Sequence, residues 1–163
     1  MNPLSDRIQA LNESETLAMA RVSRELKAKG IDVVTLSIGE PDYDTPDFIK
    51  EAAKEAIDQN YSHYTPVSGY LELREAICRK FKRDNQLDFQ PGQIVVSTGA
   101  KQSIVNVIMS LVNPGDEVIL PAPYWVSYVD IIRLAGGIPV PVYAGIEEDY
   151  KVKAANIKPY LNE

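Results

Sequence analysis

The chain has 163 residues, of which 45% are hydrophobic, so it is long enough to form a globular domain with its own core. Its 17 basic and 23 acidic residues give a formal net charge of -6 and form no block of one sign, which argues against a nucleic-acid-binding surface. No apolar run reaches the length of a membrane span, and the single cysteine, Cys78, excludes an intrachain disulfide framework. Because no basic and apolar leader precedes the first polar helix, we expect a cytoplasmic protein with small soluble partners.

The N-terminal part of the sequence predicts two helices with a short strand between them. Apolar positions over residues 14–29 indicate an amphipathic helix, and Gly30 stands where a left-handed C-cap is expected. The β-branched run over residues 33–38 predicts a strand. Thr45 and Pro46 are typical of an N-cap and a first helical position, so a second helix, apolar along one face, is expected to begin there.

A loop and a third helix follow. Turn-forming residues interrupt the chain between residues 59 and 69, which places His63 and Tyr64 on a loop. The spacing of apolar residues then predicts a helix over residues 71–83. Within that helix, Arg74 is expected to have a structural role, fixing the loop after Gly69 through backbone carbonyl groups.

From residue 94 onward the sequence alternates between strand and helix patterns. The predicted strands cover residues 94–97, 117–120 and 138–143, and the predicted helices cover residues 102–112, 125–134 and 153–162, the last disturbed by Pro159. Apolar runs that are continuous rather than alternating indicate a parallel sheet covered on both faces. The sequence therefore predicts an α/β protein.

The junction between the first of these strands and its helix has the form of an anion-binding turn. The β-branched run ends in Ser97-Thr98-Gly99-Ala100, directly before a long apolar segment. Free N–H groups at a helix start favour an anion, and a glycine lets the backbone approach it closely. Only one glycine is present and no dinucleotide or P-loop fingerprint can be found, so a cofactor with a single phosphate fits better than a dinucleotide. The alternative is an ordinary strand-to-helix turn that needs glycine for its conformation alone.

Five short motifs give this turn a wider context. They are Ser37-Ile-Gly-Glu-Pro-Asp42, His63-Tyr-Thr-Pro-Val-Ser-Gly69, Leu73-Arg74, Thr98-Gly-Ala-Lys-Gln102 and Pro123-Tyr-Trp-Val-Ser-Tyr128. In this order and spacing they resemble the pyridoxal-phosphate aminotransferases of fold type I, and in particular the aspartate and aspartate/prephenate branch of class I. The resemblance runs from about Pro3 to the last residue, so it covers the whole chain.

The resemblance implies an α/β fold in which an N-terminal helical segment precedes the first βαβαβ part of the mostly parallel large domain of these transferases. Residues 1–45 would form the N-terminal arm and part of the small domain, and residues 46–163 the first, incomplete part of the large domain. The implied activity is transamination between aspartate or glutamate and a 2-oxo acid. It implies a homodimer that takes small-molecule substrates and binds neither nucleic acid nor membrane.

The same resemblance assigns cofactor-binding roles. Gly99, Ala100 and Lys101 would donate backbone N–H groups to the phosphate of pyridoxal 5'-phosphate. Trp125 would lie flat against the cofactor ring, because an aromatic face suits an electron-poor pyridinium. Tyr64 would cross the dimer interface to hydrogen-bond the cofactor phosphate of the other subunit. The alternatives are a core tryptophan that anchors the following helix and a loop tyrosine with a solvated hydroxyl.

Three residues are implied to contact the substrate. Lys101 would pair with the distal carboxylate of a dicarboxylic substrate, which an ammonium can do as a point charge. Gly39 would contact the substrate carboxylate through its backbone, and Trp125 would line the same site. The alternative for Lys101 is a solvent-facing lysine, which is mildly unfavourable at the positive end of a helix dipole.

No catalytic residue is assigned to this chain. The family's Schiff-base lysine lies in a Ser-x-x-Lys context, and no lysine here has that context. We therefore expect the chain to be the N-terminal portion of such an enzyme and inactive alone. His63 is not expected to act as a base. The acidic residues around Pro41 are interpreted as a cap before the next helix, so no metal site is predicted.

Three other interpretations remain open from the sequence. A β C–S lyase or another fold type I relative would share the phosphate turn and the ring-stacking aromatic. An aminotransferase-like effector-binding regulatory module would also share them, but the basic winged helix that usually precedes such modules is not seen. A purely structural fragment is compatible with the first interpretation.

Overall fold

The computed structural model of the protein describes residues 4–11 and 14–162. Its helices are α1 (Asp6–Gln9), α2 (Glu15–Ala28), α3 (Asp47–Asp58), α4 (Leu71–Asn85), α5 (Ala100–Leu111), α6 (Ser127–Leu134) and α7 (Ala154–Ile157). Its strands are β1 (Glu117–Ala122) and β2 (Ile138–Tyr143), and short 3-10 turns cover Pro91–Gln93, Ile146–Glu148 and Lys158–Tyr160.

The chain divides into two compact units. The first unit comprises Met1–Gly39 and Ile104–Glu163, and the second comprises Glu40–Ser103. Helix α5 begins in the second unit and continues into the first.

Strands β1 and β2 form the parallel β-α-β arrangement of the first unit, with α6 as the connection. The register pairs Glu117 with Ile138 and Ala122 with Tyr143. The buried apolar residues of this unit are Ala20, Leu120, Ala122, Ile131, Ile132, Val142 and Ala144. The predicted α/β architecture is confirmed, because a helix with an apolar face covers parallel strands.

Strand β2 carries two prolines on the side that faces away from β1. The N–H groups of Ile138 and Ala144 point towards β1, because they donate to the carbonyl groups of Asp116, just before β1, and Ala122, at its end. Since the direction of the N–H groups alternates along a strand, Pro139 and Pro141 fall at the positions that face away from β1. Prolines supply no ladder donor, so this edge of β2 is suited to be an edge of the sheet.

Helix α2 ends as its sequence predicts. Gly30 follows the C-cap with φ +79°, and its N–H donates to the Lys27 carbonyl. The Ile31 N–H reaches back to the Leu26 carbonyl at 3.2 Å, which completes a Schellman motif. The predicted left-handed C-cap at Gly30 is confirmed.

The boundaries of α3 and α4 differ from prediction by one or two residues. Helix α3 begins at Asp47, because Pro46 is extended, with ψ 141°, and occupies the N-cap that was predicted for Thr45. Helix α4 continues to Asn85 rather than residue 83, because Gln86 adopts a left-handed conformation and closes it. The apolar face of α3 is present but uncovered, with Phe48 76% exposed.

Two predicted strands are wrong. Residues 33–38 and 94–97 form no β ladder within the part of the chain that the structure describes. Ile94 is extended and buried, but the Val96 N–H donates to the Ser68 carbonyl of a loop instead of to a strand. A β-branched run signals an extended backbone, whereas a strand also requires a partner, which local sequence does not specify.

The last predicted helix breaks where its proline predicts. Helix α7 stops at Ile157, and a 3-10 turn containing Pro159 follows.

Of the helices described for residues 4–11 and 14–162, none combines the length and the apolar character that crossing a membrane requires.

Candidate functional site

The turn before α5 contains a glycine in a left-handed conformation, which both an anion site and an ordinary strand-to-helix turn would accept. Gly99 has φ +88°, a conformation that residues with a Cβ rarely adopt. A Cβ built on Gly99 would meet nothing within 4 Å, so the backbone conformation rather than crowding requires glycine here. The Gly99 N–H donates to the Ser97 carbonyl at 2.9 Å, and the Gly99 carbonyl accepts from the Ser103 N–H at 3.3 Å. The turn therefore leads directly into the first turn of α5.

A side chain of α5 fixes the approach to this turn. The Thr98 N–H donates to the Oε1 atom of Gln102, in the first turn of the helix. The backbone N–H groups of Ala100 and Lys101 find no backbone acceptor among the residues that the structure describes. Because both residues are exposed, these donors can receive an external anion. The donor set fits a phosphate monoester, which accepts several backbone N–H bonds at a helix start.

Lys101 stands in the first turn of α5 with an exposed side chain. Within residues 4–11 and 14–162, no carboxylate forms a salt bridge with it. Its charge lies near the positive end of the helix dipole, where a cation is unfavourable unless an anion is close. This arrangement is suited to an anionic ligand, and the role of Lys101 in substrate binding stays a prediction.

Trp125 lies between β1 and α6 in the first unit. The predicted helix over residues 125–134 begins only at Ser127, so Trp125 belongs to the connecting segment that follows the cis peptide bond between Ala122 and Pro123. The residue is 46% exposed, so it is not buried in the core of the described part of the chain. An exposed indole at the carboxyl end of a parallel strand is available to contact a ligand.

Tyr64 and His63 lie on the predicted loop in the second unit. Together with Ser62 they line a shallow cavity of 230 Å³. The ring of Tyr64 is fully exposed, as both the dimer-crossing role and a solvated loop tyrosine require. Nearby, Tyr61 and Tyr70 form an edge-to-face pair with ring centroids 5.9 Å apart, which joins the two ends of this loop.

Gly39 is exposed and belongs to the first unit. A Cβ built on it would meet nothing within 4 Å, so its immediate surroundings are open.

Among the described residues, no group of three or more histidine, cysteine and acidic side chains could hold a metal ion. The candidate residues thus fall into two groups: Gly99, Ala100, Lys101 and Tyr64 in the second unit, and Gly39 and Trp125 in the first.

Arg74 holds the loop before α4, as predicted. Its Nε donates to the Gly69 carbonyl at 3.1 Å, and its Nη1 donates to the Pro91 carbonyl at 2.9 Å. The second bond was not foreseen, because no local pattern relates residues that are 17 positions apart. The predicted structural role of Arg74 through backbone carbonyl groups is confirmed.

The clearest electrostatic pair of α4 lies at its C-terminal end. Arg83 donates two hydrogen bonds to the Asp84 carboxylate, at 2.5 and 3.0 Å. These bonds and, to a smaller extent, the charges of Arg83 and Lys80 lower the pKa of the Asp84 carboxyl below its usual value. The pair is solvated and contains no candidate site residue, so it is a surface feature of α4.

Comparison with known proteins assigns the family. Residues 31–163 match the profile of the family described as aminotransferase class I and II. The chain belongs to the class I and II aminotransferase family. The resemblance predicted from the five motifs is confirmed, including its branch, because aspartate/prephenate aminotransferases are among its similar relatives.

Two curated relatives illustrate the similarity of this aminotransferase chain. The aspartate/prephenate aminotransferase of Cereibacter sphaeroides is 53% identical over 149 residues, which cover 91% of this chain and 37% of the relative. The aspartate aminotransferase of Bacillus sp. strain YM-2 is 46% identical over 155 residues, which cover 95% of this chain and 40% of the relative. The chain thus spans about two fifths of the length of the relatives it matches.

Solved aminotransferase structures share the fold. The Thermus thermophilus aspartate aminotransferase with maleate matches with a TM-score of 0.94 and 41% identity, over 99% of this chain and 42% of that chain. An alanine aminotransferase from Pyrococcus furiosus matches with a TM-score of 0.91 and 31% identity, over 98% and 41%. The aminotransferase chain therefore has the fold of the N-terminal part of the pyridoxal-phosphate-dependent transferases.

Proposed function

We propose that the complete protein transfers the amino group of aspartate or glutamate to a 2-oxo acid, with pyridoxal 5'-phosphate as cofactor. The observation that carries this proposal is the left-handed turn at Gly99, after which the N–H groups of Ala100 and Lys101 lack a backbone acceptor among the described residues, in a chain of the aminotransferase family. The names of the similar relatives support the choice of an aspartate-type enzyme.

The residues of this chain would bind and orient the cofactor. When bound, the cofactor would supply an electron sink for the negative charge that develops on the amino acid during amino transfer. Ala100 and Lys101 would hold its phosphate through backbone N–H groups, and Trp125 would cover one face of its ring. Gly99 would supply the left-handed turn rather than the predicted donor, because its own N–H donates to the Ser97 carbonyl. The exposure of Trp125 and the open turn at Gly99 support these roles.

Lys101 would select dicarboxylic substrates. Its ammonium would pair with the carboxylate at the far end of aspartate or glutamate, while its backbone N–H serves the phosphate. The Thermus aspartate aminotransferase was solved with maleate, a dicarboxylate. This supports a site for a ligand with two carboxylate groups in a similar protein. The alanine aminotransferase with the same fold shows that the fold does not decide the substrate, so the proposal depends on Lys101.

The complete enzyme would be a homodimer with a shared active site. Tyr64 would reach the cofactor phosphate of the other subunit, and Gly39 would contact the substrate carboxylate through its backbone. Uncovered apolar side chains such as Phe48, Ile57 and Leu111 support association, since exposed apolar surface of this kind is usually covered by another chain or segment. Residues 1–45 would belong to the arm and small domain, and residues 46–163 to the cofactor-binding large domain.

This chain alone would not catalyse transamination, and a labelling experiment tests this. After incubation with pyridoxal phosphate and reduction with borohydride, we expect no single lysine to carry a stoichiometric label, because no lysine here has the family's Ser-x-x-Lys context. Peptide mapping by mass spectrometry gives the result, with a complete aspartate aminotransferase as the positive control. Full labelling of one specific lysine in this chain would show that the proposal is wrong.

A further inference from the structure

Arg74 joins two segments of the second unit that are distant in sequence. It donates from Nε to the Gly69 carbonyl, at the end of the loop before α4, and from Nη1 to the Pro91 carbonyl, in the segment that leads to the turn at Gly99. Both bonds are partly buried, so water competes with them less than at an exposed site. Bonds from a charged donor are also stronger than neutral ones.

The same two segments meet again closer to the turn. The Val96 N–H donates to the Ser68 carbonyl at 3.1 Å. A Cβ added to Gly69 would lie 2.7 Å from Val96 Cγ2, so the Gly69 backbone lies against the Val96 side chain with no room for a Cβ. Gly99 follows three residues after Val96. Because the described residues provide no strand ladder for residues 94–97, these contacts tie the segment to the rest of its unit.

We propose that Arg74 is a positioning residue for the anion-binding turn formed by Gly99, Ala100 and Lys101. By bonding the Gly69 and Pro91 carbonyl groups together, it fixes the loop against which Val96 packs and so sets where the turn presents its N–H groups. A guanidinium suits this task because its planar fork offers donors at separate positions, whereas an ammonium has one centre. The inference rests on the proposed role of the turn as a phosphate site.

The test is a titration of the 163-residue chain with inorganic phosphate, followed by the amide NMR signals of the turn. Arg74→Ala is expected to weaken phosphate binding by about tenfold. A displaced turn would lose about one charge-assisted hydrogen bond from its N–H groups to the phosphate, and a loss of this size corresponds to that change in affinity. Gly69→Ala alters no charge but forces the loop away from Val96, and we expect a loss of similar size. Arg79→Ala removes the same charge from an exposed position of α4 and should change the affinity by no more than about twofold.

Two further measurements separate positioning from stability. A denaturation curve of each variant gives its folded fraction, and the phosphate affinity is taken from the folded signals alone, so a purely structural role would change only the curve. Arg74→Lys keeps the charge and at most one of the two bonds, and we expect an intermediate affinity.

The outcomes are distinct. If phosphate leaves the turn amides of the unaltered chain unchanged, the phosphate site is wrong, and the role of Arg74 with it. If the unaltered chain binds phosphate and Arg74→Ala binds it equally well, the inference about Arg74 is overturned, whatever the affinity of Gly69→Ala. An equal loss in Arg79→Ala would mean that net charge, not positioning, governs the affinity, and would also overturn it.

Discussion

Replacing Lys101 with alanine in the complete aminotransferase is expected to reduce its preference for dicarboxylic over neutral amino acids by roughly one to two decades. The physical reason is the loss of the proposed charge-assisted pair between Lys101 and the distal carboxylate, a kind of pair that is worth about 1.5–3 kcal/mol. The backbone N–H of residue 101 remains, so the proposed phosphate site keeps its donors. The measurement is kcat/KM for aspartate, glutamate and one neutral amino acid in the unaltered and altered enzymes.

The control for this prediction is Lys29→Ala, which removes an equal charge from an exposed position just after α2. It should leave the ratio of the kcat/KM values unchanged. If Lys101→Ala lowered kcat/KM equally for all three amino acids, Lys101 would serve the general architecture of the site and not the choice of substrate.

Replacing Ile132 with alanine should have the largest effect on stability. Ile132 lies on α6 with 2% of its surface exposed, and its Cγ2 atom approaches Gly137 just before β2. Truncating a buried isoleucine costs about 2–5 kcal/mol, because the removed atoms lose their apolar surroundings and leave a cavity. That cost is a large share of the roughly 5–15 kcal/mol by which domains are stable. Urea denaturation at one fixed protein concentration measures it.

Ile146→Ala is the matched control, because Ile146 lies in the same unit but is 71% exposed. We expect its free energy of unfolding to change by no more than about 0.5 kcal/mol. Equal denaturation midpoints for the two variants would contradict a core centred on α6 and the two strands.

The sequence predicted the elements that local signals define. Strand β2 has its predicted bounds, Gly30 closes α2, and α7 breaks before Pro159. These features depend on residues close to one another in the chain, such as a glycine that can adopt positive φ or a proline without an N–H. The edge position of β2 could also have been predicted, because Pro139 and Pro141 alternate along it.

Prediction from the sequence was wrong or incomplete where the structure of a segment depends on a hydrogen-bond partner that is distant along the chain. Residues 94–97 are extended but make their hydrogen bond to the Ser68 carbonyl rather than to a strand. The bond from Arg74 to the Pro91 carbonyl could likewise not be predicted, although the role of the arginine in fixing the loop was predicted correctly. For the candidate site, the positive φ of Gly99 and the exposure of Trp125 are compatible with the predicted roles, and those roles stay predictions.

The most direct test of the central claim is to join this chain to the C-terminal remainder of the Cereibacter relative and to assay amino transfer. The two are 53% identical over the shared region, so the interface between the parts should be compatible. We expect the joined protein, supplied with pyridoxal phosphate, to form glutamate from aspartate and 2-oxoglutarate, and neither part alone to do so. A joined protein that folds and binds the cofactor but transfers no amino group would contradict the account, as would transfer by this chain alone.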